Sequence, residues 1–266
     1  MIRSKQVVWI TGASSGIGKE MAFQYAKMGY AVALSARRIE LLDELEKDIK
    51  SNGGDALTVN CDVTDETQII NAINQIVQQY GRIDIAVANA GCAVTGFMHQ
   101  LSQDDWHRQL NINVVGLAMT AKNVVPELKK TTGRLVLIGS VSAYLPNPFV
   151  GAYGASKAAV HNIGETYQVE SKGTGVSCTT LHPGFVDSHI TRVDNQGVFH
   201  PEAKDPRPAN LMWSTDKAVA EMIKAIEKRK KVSVITGHGK VFAFLGRFFP
   251  KIARIMMHKQ IKEIVK

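Results

Sequence analysis

Seven short apolar runs, separated by stretches with helical periodicity, constrain the fold of this chain more than any other feature. The runs are QVVWI (6–10), AVALSA (31–36), ALTVN (56–60), IDIAVA (83–88), RLVLIG (134–139), VSCTTL (176–181) and VSVIT (232–236). Their lack of polar alternation is typical of parallel strands that helices cover on both faces. The pattern predicts an α/β fold with a Rossmann-like, doubly wound parallel β-sheet of about seven strands and helices on both faces.

The intervening stretches predict the helices and the domain plan. Helices are expected at 16–28, 38–51, 65–80, 104–130, 153–172 and 215–229. Thr64 is the predicted N-cap of the third helix, and Ser214 or Thr215 that of the last. No linker or repeat interrupts the series, so we predict one domain at 1–239, with an irregular insertion at 189–213 and a C-terminal tail at 240–266.

Composition serves mainly to exclude some classes of protein. Hydrophobic residues make up 45% of the 266 residues and charged residues 21%, as in ordinary globular proteins. The three cysteines form no CxxC pair and stand near no histidine cluster, so neither a disulfide framework nor a metal site is expected. With no apolar run of eighteen residues and a strand pattern from residue 6, neither a spanning helix nor a signal peptide is expected, and the predicted location is the cytoplasm.

A glycine-rich turn, TGASSGIG (11–18), stands between the first predicted strand and the first predicted helix. Glycines let such a turn close and let the backbone approach a pyrophosphate, which then lies at the positive end of the helix. A tight turn chosen for packing is the alternative interpretation. The pattern predicts a dinucleotide site whose contacts are Gly12, Ser14, Ser15, Gly16, Ile17 and Gly18.

The second strand ends in LSARR, with no acidic residue before Glu40. Folds of this kind that bind NAD usually carry an Asp or Glu here, whereas an arginine favours the 2′-phosphate of NADP. The predicted cofactor is therefore NADP(H), bound by Arg37 through charge-assisted hydrogen bonds, with Arg38 beside it. The alternative is that both arginines simply begin a solvated helix.

The third and fourth strands end in CDV (61–63) and ANAG (88–91), and ligands lie at this edge of an open α/β sheet. Asp62 is a candidate for binding the adenine amine, with Val63 next to it. The turn at Asn89, Ala90 and Gly91 is expected to border the ribose. Simple turn chemistry is the alternative interpretation of these residues.

Further motifs follow the glycine-rich turn along the chain. In order, the sequence carries TGxxxGxG from Thr11, NAG from Asn89, Asn113 in NVVG, Ser140 in IGS, Tyr153-x-x-x-Lys157 and Pro183-Gly184. Over about residues 6–236 these motifs together resemble the short-chain dehydrogenase/reductase family, in its single-domain branch. The resemblance implies an oxidoreductase with a small-molecule carbonyl or alcohol substrate, assembled as a homodimer or homotetramer. It also implies that Pro183, Gly184, Val186 and Ser188 lie along the nicotinamide.

Tyr153 and Lys157 stand four residues apart and therefore share one helix face. Since a nearby ammonium favours the phenolate, the pair predicts a pKa for Tyr153 that is lowered towards neutrality, where acid/base catalysis is efficient. The resemblance implies that Ser140 stabilises the reacting oxygen and that Lys157 also holds the nicotinamide ribose. It also implies that Asn113 positions a water in a proton relay.

The histidines fall outside this set. No catalytic role is needed for His107, His161 or His182, and His182 is interpreted as a strand cap.

The tail carries much of the net charge of +8, because seven Lys and Arg residues from Lys240 to Lys266 face one acid, Glu263. Apolar residues recur there at helical spacing, with Pro250 near a helix start. A cationic amphipathic helix of this kind is typical of peripheral membrane contact, here at the inner membrane surface, and packing on a neighbouring subunit is the alternative. Nucleic acid is not an expected partner, since no binding motif appears elsewhere.

The resulting hypothesis is an NADP(H)-dependent oxidoreductase that interconverts a carbonyl and a secondary alcohol. The insertion carries many apolar residues, which favours a hydrophobic or lipid-like substrate, although the same residues could simply pack against the domain. The alternative function is a non-catalytic, NADP(H)-binding regulatory or membrane-surface scaffold protein. The intact set of Ser140, Tyr153, Lys157 and Asn113 argues against that alternative.

Overall fold

A computed structural model describes the backbone of residues 5–264 and the side chains of residues 5–258. The outermost ends of the two predicted segments, at 1–4 and 265–266, and the tail side chains of Lys259, Lys262, Glu263 and Lys266 lie outside the described residues. In chain order the elements are β1 (Val7–Thr11), α1 (Gly16–Lys27), β2 (Ala31–Ala36), α2 (Ile39–Ser51), β3 (Asp55–Asn60), α3 (Glu66–Tyr80), β4 (Ile85–Ala88), α4 (Gln103–Leu110), a π-helical turn (Asn111–Gly116), α5 (Leu117–Thr131), β5 (Arg134–Ile138), a 3-10 turn (Val141–Ala143), α6 (Gly151–Glu170), β6 (Ser177–Pro183), 3-10 turns (His189–Arg192 and Ala209–Leu211), α7 (Thr215–Glu227), β7 (Val232–Ile235), α8 (Gly237–Phe248) and α9 (Pro250–Ile264).

The strands form one parallel sheet of seven in the order β3-β2-β1-β4-β5-β6-β7. The chain runs outwards from β1 to β3 and then returns to add β4 on the other side of β1. This reversal is the switch point at which doubly wound sheets bind their ligands. The predicted Rossmann-like sheet is confirmed.

Two hydrophobic cores cover the two faces of the sheet. Val8 and Ile10 of β1 point into one core, which α1, α2 and α7 complete, whereas Val7 and Trp9 point into the other, which α3, α5 and α6 complete. Successive side chains of a strand point to opposite faces, so the uninterrupted apolar run in β1 serves both cores at once. The sheet is therefore buried on both faces. The cleft lies at the edge formed by the carboxyl ends of the strands.

Two local predictions were wrong. The helix expected at 104–130 is divided into α4, the π-helical turn and α5. The π-helical turn keeps the chain helical, so no turn residue in the sequence marks it. The N-cap of α3 is Asp65 rather than Thr64, and its carboxylate accepts from the backbone N–H of Thr67 at 2.9 Å. Thr64 instead donates its hydroxyl to Asp62 Oδ1 at 2.8 Å.

The insertion and the tail differ in their regularity. The segment 189–213 contains two short 3-10 turns and an antiparallel bridge between Val193 and Phe199. The tail forms two helices, of which α8 begins at Gly237, before the predicted boundary at 240, and α9 begins at Pro250. Among the helices within residues 5–264, none combines the length and the apolar character that crossing a bilayer requires.

Candidate active site

One cleft at the carboxyl edge of the sheet gathers nearly all of the predicted site residues. The predicted residues that line it are Gly12, Ser14, Ser15, Gly16, Ile17, Arg37, Arg38, Asp62, Val63, Asn89, Ala90, Gly91, Ser140, Tyr153, Lys157, Pro183, Gly184, Val186 and Ser188. Gly18 and Asn113 are not part of the lining. They contact residues that are, namely Gly12 and Cys92. The cleft lies where an open α/β sheet places its ligand.

The glycine loop after β1 has the shape that a dinucleotide requires. Gly12 and Gly16 have φ of 67° and 54°, a left-handed conformation that glycine adopts without strain. A Cβ atom at Gly12 would lie 2.8 Å from the Cα of Ala90, and one at Gly18 would overlap the carbonyl oxygen of Gly12. The loop is therefore packed on its inner side by backbone and opens into the cleft at the N-terminus of α1, where backbone N–H groups favour a phosphate.

Asn89 holds the glycine loop in place. Its side-chain amide donates to the carbonyl oxygens of Thr11 at 2.9 Å and Gly12 at 3.1 Å. In return, Thr11 Oγ1 accepts from the backbone N–H groups of Asn89 and Ala90 at 3.1 and 3.2 Å. The amide of Asn89 is thus occupied in fastening β4 to β1, and Ala90 and Gly91 are left to border the cleft.

Two arginines lie at the end of β2. Arg38 Nη2 donates to the hydroxyl of Ser14 at 2.9 Å and lies 3.4 Å from that of Ser15. Arg37 is mostly exposed, and its Nη1 lies 4.0 Å from Asp62 Oδ2. Asp62 also accepts from the backbone N–H and the hydroxyl of Thr64, as a turn residue does. Two guanidinium groups therefore lie beside the glycine loop. Such positive charge favours the binding of a ligand that carries several phosphates.

Tyr153 and Lys157 lie on the same face of α6 and both reach the cleft. Lys157 Nζ is 5.6 Å from the centroid of the Tyr153 ring and donates to the carbonyl oxygen of Ile138 at 2.8 Å. Ser140 follows β5 and is buried, and its hydroxyl is a hydrogen-bond partner of the Tyr153 phenol. The three predicted side chains therefore meet at the end of β5.

Burial sets the proton affinities of this group. It raises the pKa of Tyr153, and the hydrogen bond from Ser140 and the charge of Arg207 oppose that rise. Burial also lowers the pKa of Lys157 to about 8. The predicted lowering of the Tyr153 pKa was therefore wrong. The i,i+4 spacing predicts only the nearby cation, whereas the cost of burying a phenolate decides the direction of the pKa.

Asn113 supports the cleft from the π-helical turn, where it is fully buried. Its Oδ1 accepts from the backbone N–H of Cys92 at 2.8 Å, and its Nδ2 donates to the Cys92 carbonyl at 2.9 Å and to Ser156 Oγ at 3.1 Å. The side chain thus ties the loop after β4 to α6. Its predicted part in a water relay stays a prediction.

Sequence reasoning missed two cationic residues in the cleft wall, Arg207 and Arg108. Arg207 forms an ion pair with Asp205, and its Nη1 donates to the carbonyl of Val186 at 2.9 Å. Arg108 Nη1 donates to the carbonyl of Gln196 at 2.9 Å. Arg207 and the partner of Arg108 belong to the insertion, whose irregular sequence offers no periodicity from which these contacts could be predicted.

His182, predicted as a strand cap, lies directly beneath the serine. Its Nδ1 is 2.9 Å from the carbonyl oxygen of Ser140, and its ring packs with those of Tyr144 and His161. The side chain is fully buried, which lowers its pKa to about 4. A neutral imidazole thus supports the backbone of Ser140.

Proteins that join this sheet order to a glycine loop and a Tyr–Lys helix over one cleft form the class of nicotinamide-dinucleotide-dependent oxidoreductases with a single Rossmann-like domain. A family model described as short chain dehydrogenase matches residues 6–198, and this chain belongs to that family. The resemblance seen in the sequence is therefore confirmed.

A plant relative agrees with this assignment. The 11-beta-hydroxysteroid dehydrogenase A of Sesamum indicum is 34% identical over 197 residues, which cover 73% of this chain and only 55% of that relative. The match therefore spans about half the length of the sesame protein.

Two solved structures share the fold. A short chain dehydrogenase/reductase from Burkholderia phymatum in complex with NAD has a TM-score of 0.78 at 24% identity, covering 88% of this chain and 90% of that one. An alcohol dehydrogenase from Thermococcus sibiricus complexed with 5-hydroxy-NADP has a TM-score of 0.75 at 26% identity, covering 88% and 97%.

Proposed function

We propose that this protein is an NADP(H)-dependent oxidoreductase that interconverts a carbonyl and a secondary alcohol on a hydrophobic or lipid-like substrate. The observation that carries the proposal is the meeting of Ser140, Tyr153 and Lys157 in the cleft that the glycine loop enters. An acid/base group, a donor for the substrate oxygen and a dinucleotide cradle then share one space, as carbonyl reduction requires.

The preference for NADP(H) is supported by the charges at the end of β2. Arg38 is hydrogen-bonded to Ser14, and Arg37 is exposed on the same wall. No carboxylate occupies the position after β2 at which NAD-binding folds accept the ribose 2′-hydroxyl. The bound reduced cofactor supplies the hydride, and the two guanidinium groups would hold its 2′-phosphate.

The proposed proton donor is Tyr153. Because burial raises its pKa, the phenol holds its proton at neutral pH and can donate that proton to a carbonyl oxygen. Ser140 would hydrogen-bond the same oxygen and stabilise the charge that develops there. The ammonium of Lys157, fixed on the carbonyl of Ile138, would hold the ribose next to the phenol. In the direction of alcohol oxidation Tyr153 must first lose its proton, so oxidation should need a higher pH than reduction.

A hydrophobic substrate is supported by the wall that the insertion adds to the cleft. Ile190, Val193 and Phe199 of the insertion all line the cleft, in addition to the glycine loop and the strand ends. The bridge between Val193 and Phe199 gives this wall a defined shape. An apolar wall with a few polar groups at the reacting end is typical of sites for small hydrophobic molecules.

The proposal is tested by replacing Tyr153 with Phe and following NADPH oxidation on a panel of ketones, aldehydes, sterols and acyl compounds. Loss of the proton donor should lower kcat by about 10²–10⁴-fold, while the Kd for NADPH changes little. The matched control is Tyr167→Phe, half-buried farther along α6, which should keep full activity. Wild-type protein should bind NADPH about tenfold or more tightly than NADH.

Two results would count against this function. Full activity of Tyr153→Phe would remove the assigned acid. Tight NADPH binding by wild-type protein without turnover of any compound class would favour the non-catalytic scaffold instead.

A further inference from the structure

Helix α8 turns three large apolar side chains to solvent and two small residues to the domain, while Phe242 and Leu245 are half-buried. Val241, Phe244 and Phe248 are 55%, 53% and 60% exposed, at a spacing that places them on one face. Gly239 and Ala243 are buried on the opposite face. A surface helix normally buries most of its large apolar side chains, so three exposed ones on one face are unusual.

Close packing on the buried side fixes this orientation of α8. A Cβ atom at Gly246 would overlap the carbonyl oxygen of Tyr144, and one at Gly239 would lie 3.0 Å from Val141 Cγ1. Only glycine allows the helix to approach the 3-10 turn that follows Ser140 this closely. The helix therefore cannot rotate to bury Val241, Phe244 and Phe248 without moving away from the domain.

The apolar surface continues onto α9. Phe249, Ile252 and Ile255 are 46%, 48% and 62% exposed, whereas the small Ala253 is buried. The ring centroids of Phe244 and Phe248 are 5.1 Å apart, and those of Phe244 and Phe249 are 5.8 Å apart. We call the surface formed by Val241, Phe244, Phe248, Phe249, Ile252 and Ile255 the tail face. Contiguous apolar patches of this kind mark sites that bind a protein or a membrane.

The charges around the tail face decide between these two. Lys240, Arg247, Lys251 and Arg254 are all exposed, and no acidic residue occurs from residue 237 to residue 258. A second copy placed on this face by two-fold symmetry would bring like charges together. An anionic lipid surface instead satisfies both the cations and the exposed phenylalanines.

We propose that the tail face docks on an anionic lipid surface, with α8 and α9 lying in the headgroup region and their phenylalanines inserted below it. The docked helix would be joined directly to the cleft, because His238 in its first turn accepts from the backbone N–H of Phe185 at 2.9 Å and stacks on the Phe185 ring. The docking itself does not depend on the proposed catalysis.

The test is co-sedimentation of the full chain with vesicles of phosphatidylcholine alone and of phosphatidylcholine containing about 30% phosphatidylglycerol. Wild-type protein should bind the anionic vesicles, lose most of that binding in about 0.5 M salt, and leave neutral vesicles largely unbound. The double variant Phe244→Ser/Phe248→Ser should lower the bound fraction about tenfold. The matched control is Val169→Ser, which removes a side chain that is 76% exposed on α6 and should bind as wild type does.

A second variant, Arg247→Gln/Lys251→Gln, tests the charge and should weaken binding to anionic vesicles several-fold. Retained NADPH binding and an unchanged circular dichroism spectrum show that each variant is folded. Equal vesicle binding by wild type and Phe244→Ser/Phe248→Ser overturns the proposal, as does binding that ignores lipid charge. Absence of vesicle binding together with a dimer in light scattering that the double variant abolishes also overturns it, and assigns the tail face to a second copy.

Discussion

At the residue scale, burial rather than the nearest charge sets the protonation of the groups around the proposed proton donor. Lys157 has one backbone acceptor at 2.8 Å and a pKa lowered to about 8. His182 is fully buried beneath Ser140 and has a pKa lowered to about 4. At neutral pH the imidazole that contacts the backbone of Ser140 is therefore uncharged, whereas the Lys157 amine beside the phenol is mainly charged.

His182 gives a stability prediction with a defined sign. Its folded-state pKa of about 4 lies below its ordinary value of 6.5, so the unfolded chain binds more protons between these values. Stability from this group is complete above pH 6.5 and is lost as the pH falls towards 4, with a loss of about 2 kcal/mol at pH 5. Urea unfolding of wild type and His182→Gln at pH 7 and pH 5 measures this, and the variant should lack that part of the decline.

The control is His107→Gln, which replaces an exposed histidine and should keep the wild-type pH profile. Parallel profiles of wild type and His182→Gln would show that the buried imidazole does not carry the acid sensitivity.

The gathering of the candidate site residues in one cleft could be predicted from the sequence because motif spacing determines which side chains share a face. Tyr153 and Lys157 meet since they are four residues apart on a helix. Arg207 could not be found in this way, because it reaches the cleft through an irregular segment that bends back over the strand ends. The direction of the Tyr153 pKa depends on how much of the side chain is desolvated, which spacing does not encode.

At the element scale, the start of α3 distinguishes two neighbouring residues that look equivalent in the sequence. The carboxylate of Asp65 accepts from the N–H groups of Thr67 and Gln68, at the helix end where a negative charge is also favoured. Asp65→Ala should therefore lower the free energy of unfolding by about 1 kcal/mol. Thermal or urea unfolding at pH 7 measures the change.

Thr64→Ala is the matched control, since it removes a hydroxyl that donates to Asp62 outside the helix. Its effect should stay within about 0.5 kcal/mol, as for most exposed positions. A larger loss in Thr64→Ala than in Asp65→Ala would restore Thr64 as the cap.

Element boundaries show where periodicity stops being informative. The strands begin and end within about two residues of their predicted limits, because apolar runs and turn residues mark both ends. The π-helical turn at Asn111–Gly116 leaves no such mark, since it keeps the chain helical. Its consequence is local: it lies where Asn113 is buried and bound to Cys92.

At the scale of the whole molecule, the tail is joined to the domain at its first helix. Thr236 caps α8 by accepting from the N–H of Gly239, and His238 holds the loop of Phe185. The same helix packs on the turn after Ser140. The sequence predicted that the tail is helical and cationic. It did not predict that α8 contacts the 3-10 turn after Ser140 and the loop of Phe185, because the glycines that allow the close approach carry no pattern of their own.

If α8 is an integral part of the domain, its glycines should differ according to what they face. Alanine at Gly246 would gain up to about 1 kcal/mol of helix propensity but would overlap the carbonyl of Tyr144, an overpacking that costs about 1–3 kcal/mol. Gly246→Ala should therefore be destabilised in urea unfolding while keeping a single transition. Gly237→Ala, at a position with no atom within 4 Å of the added Cβ, should be neutral or slightly stabilised. Equal effects of the two substitutions, or a separate early transition in wild type, would mean that α8 is held independently of the cleft and that the tail is a detachable element.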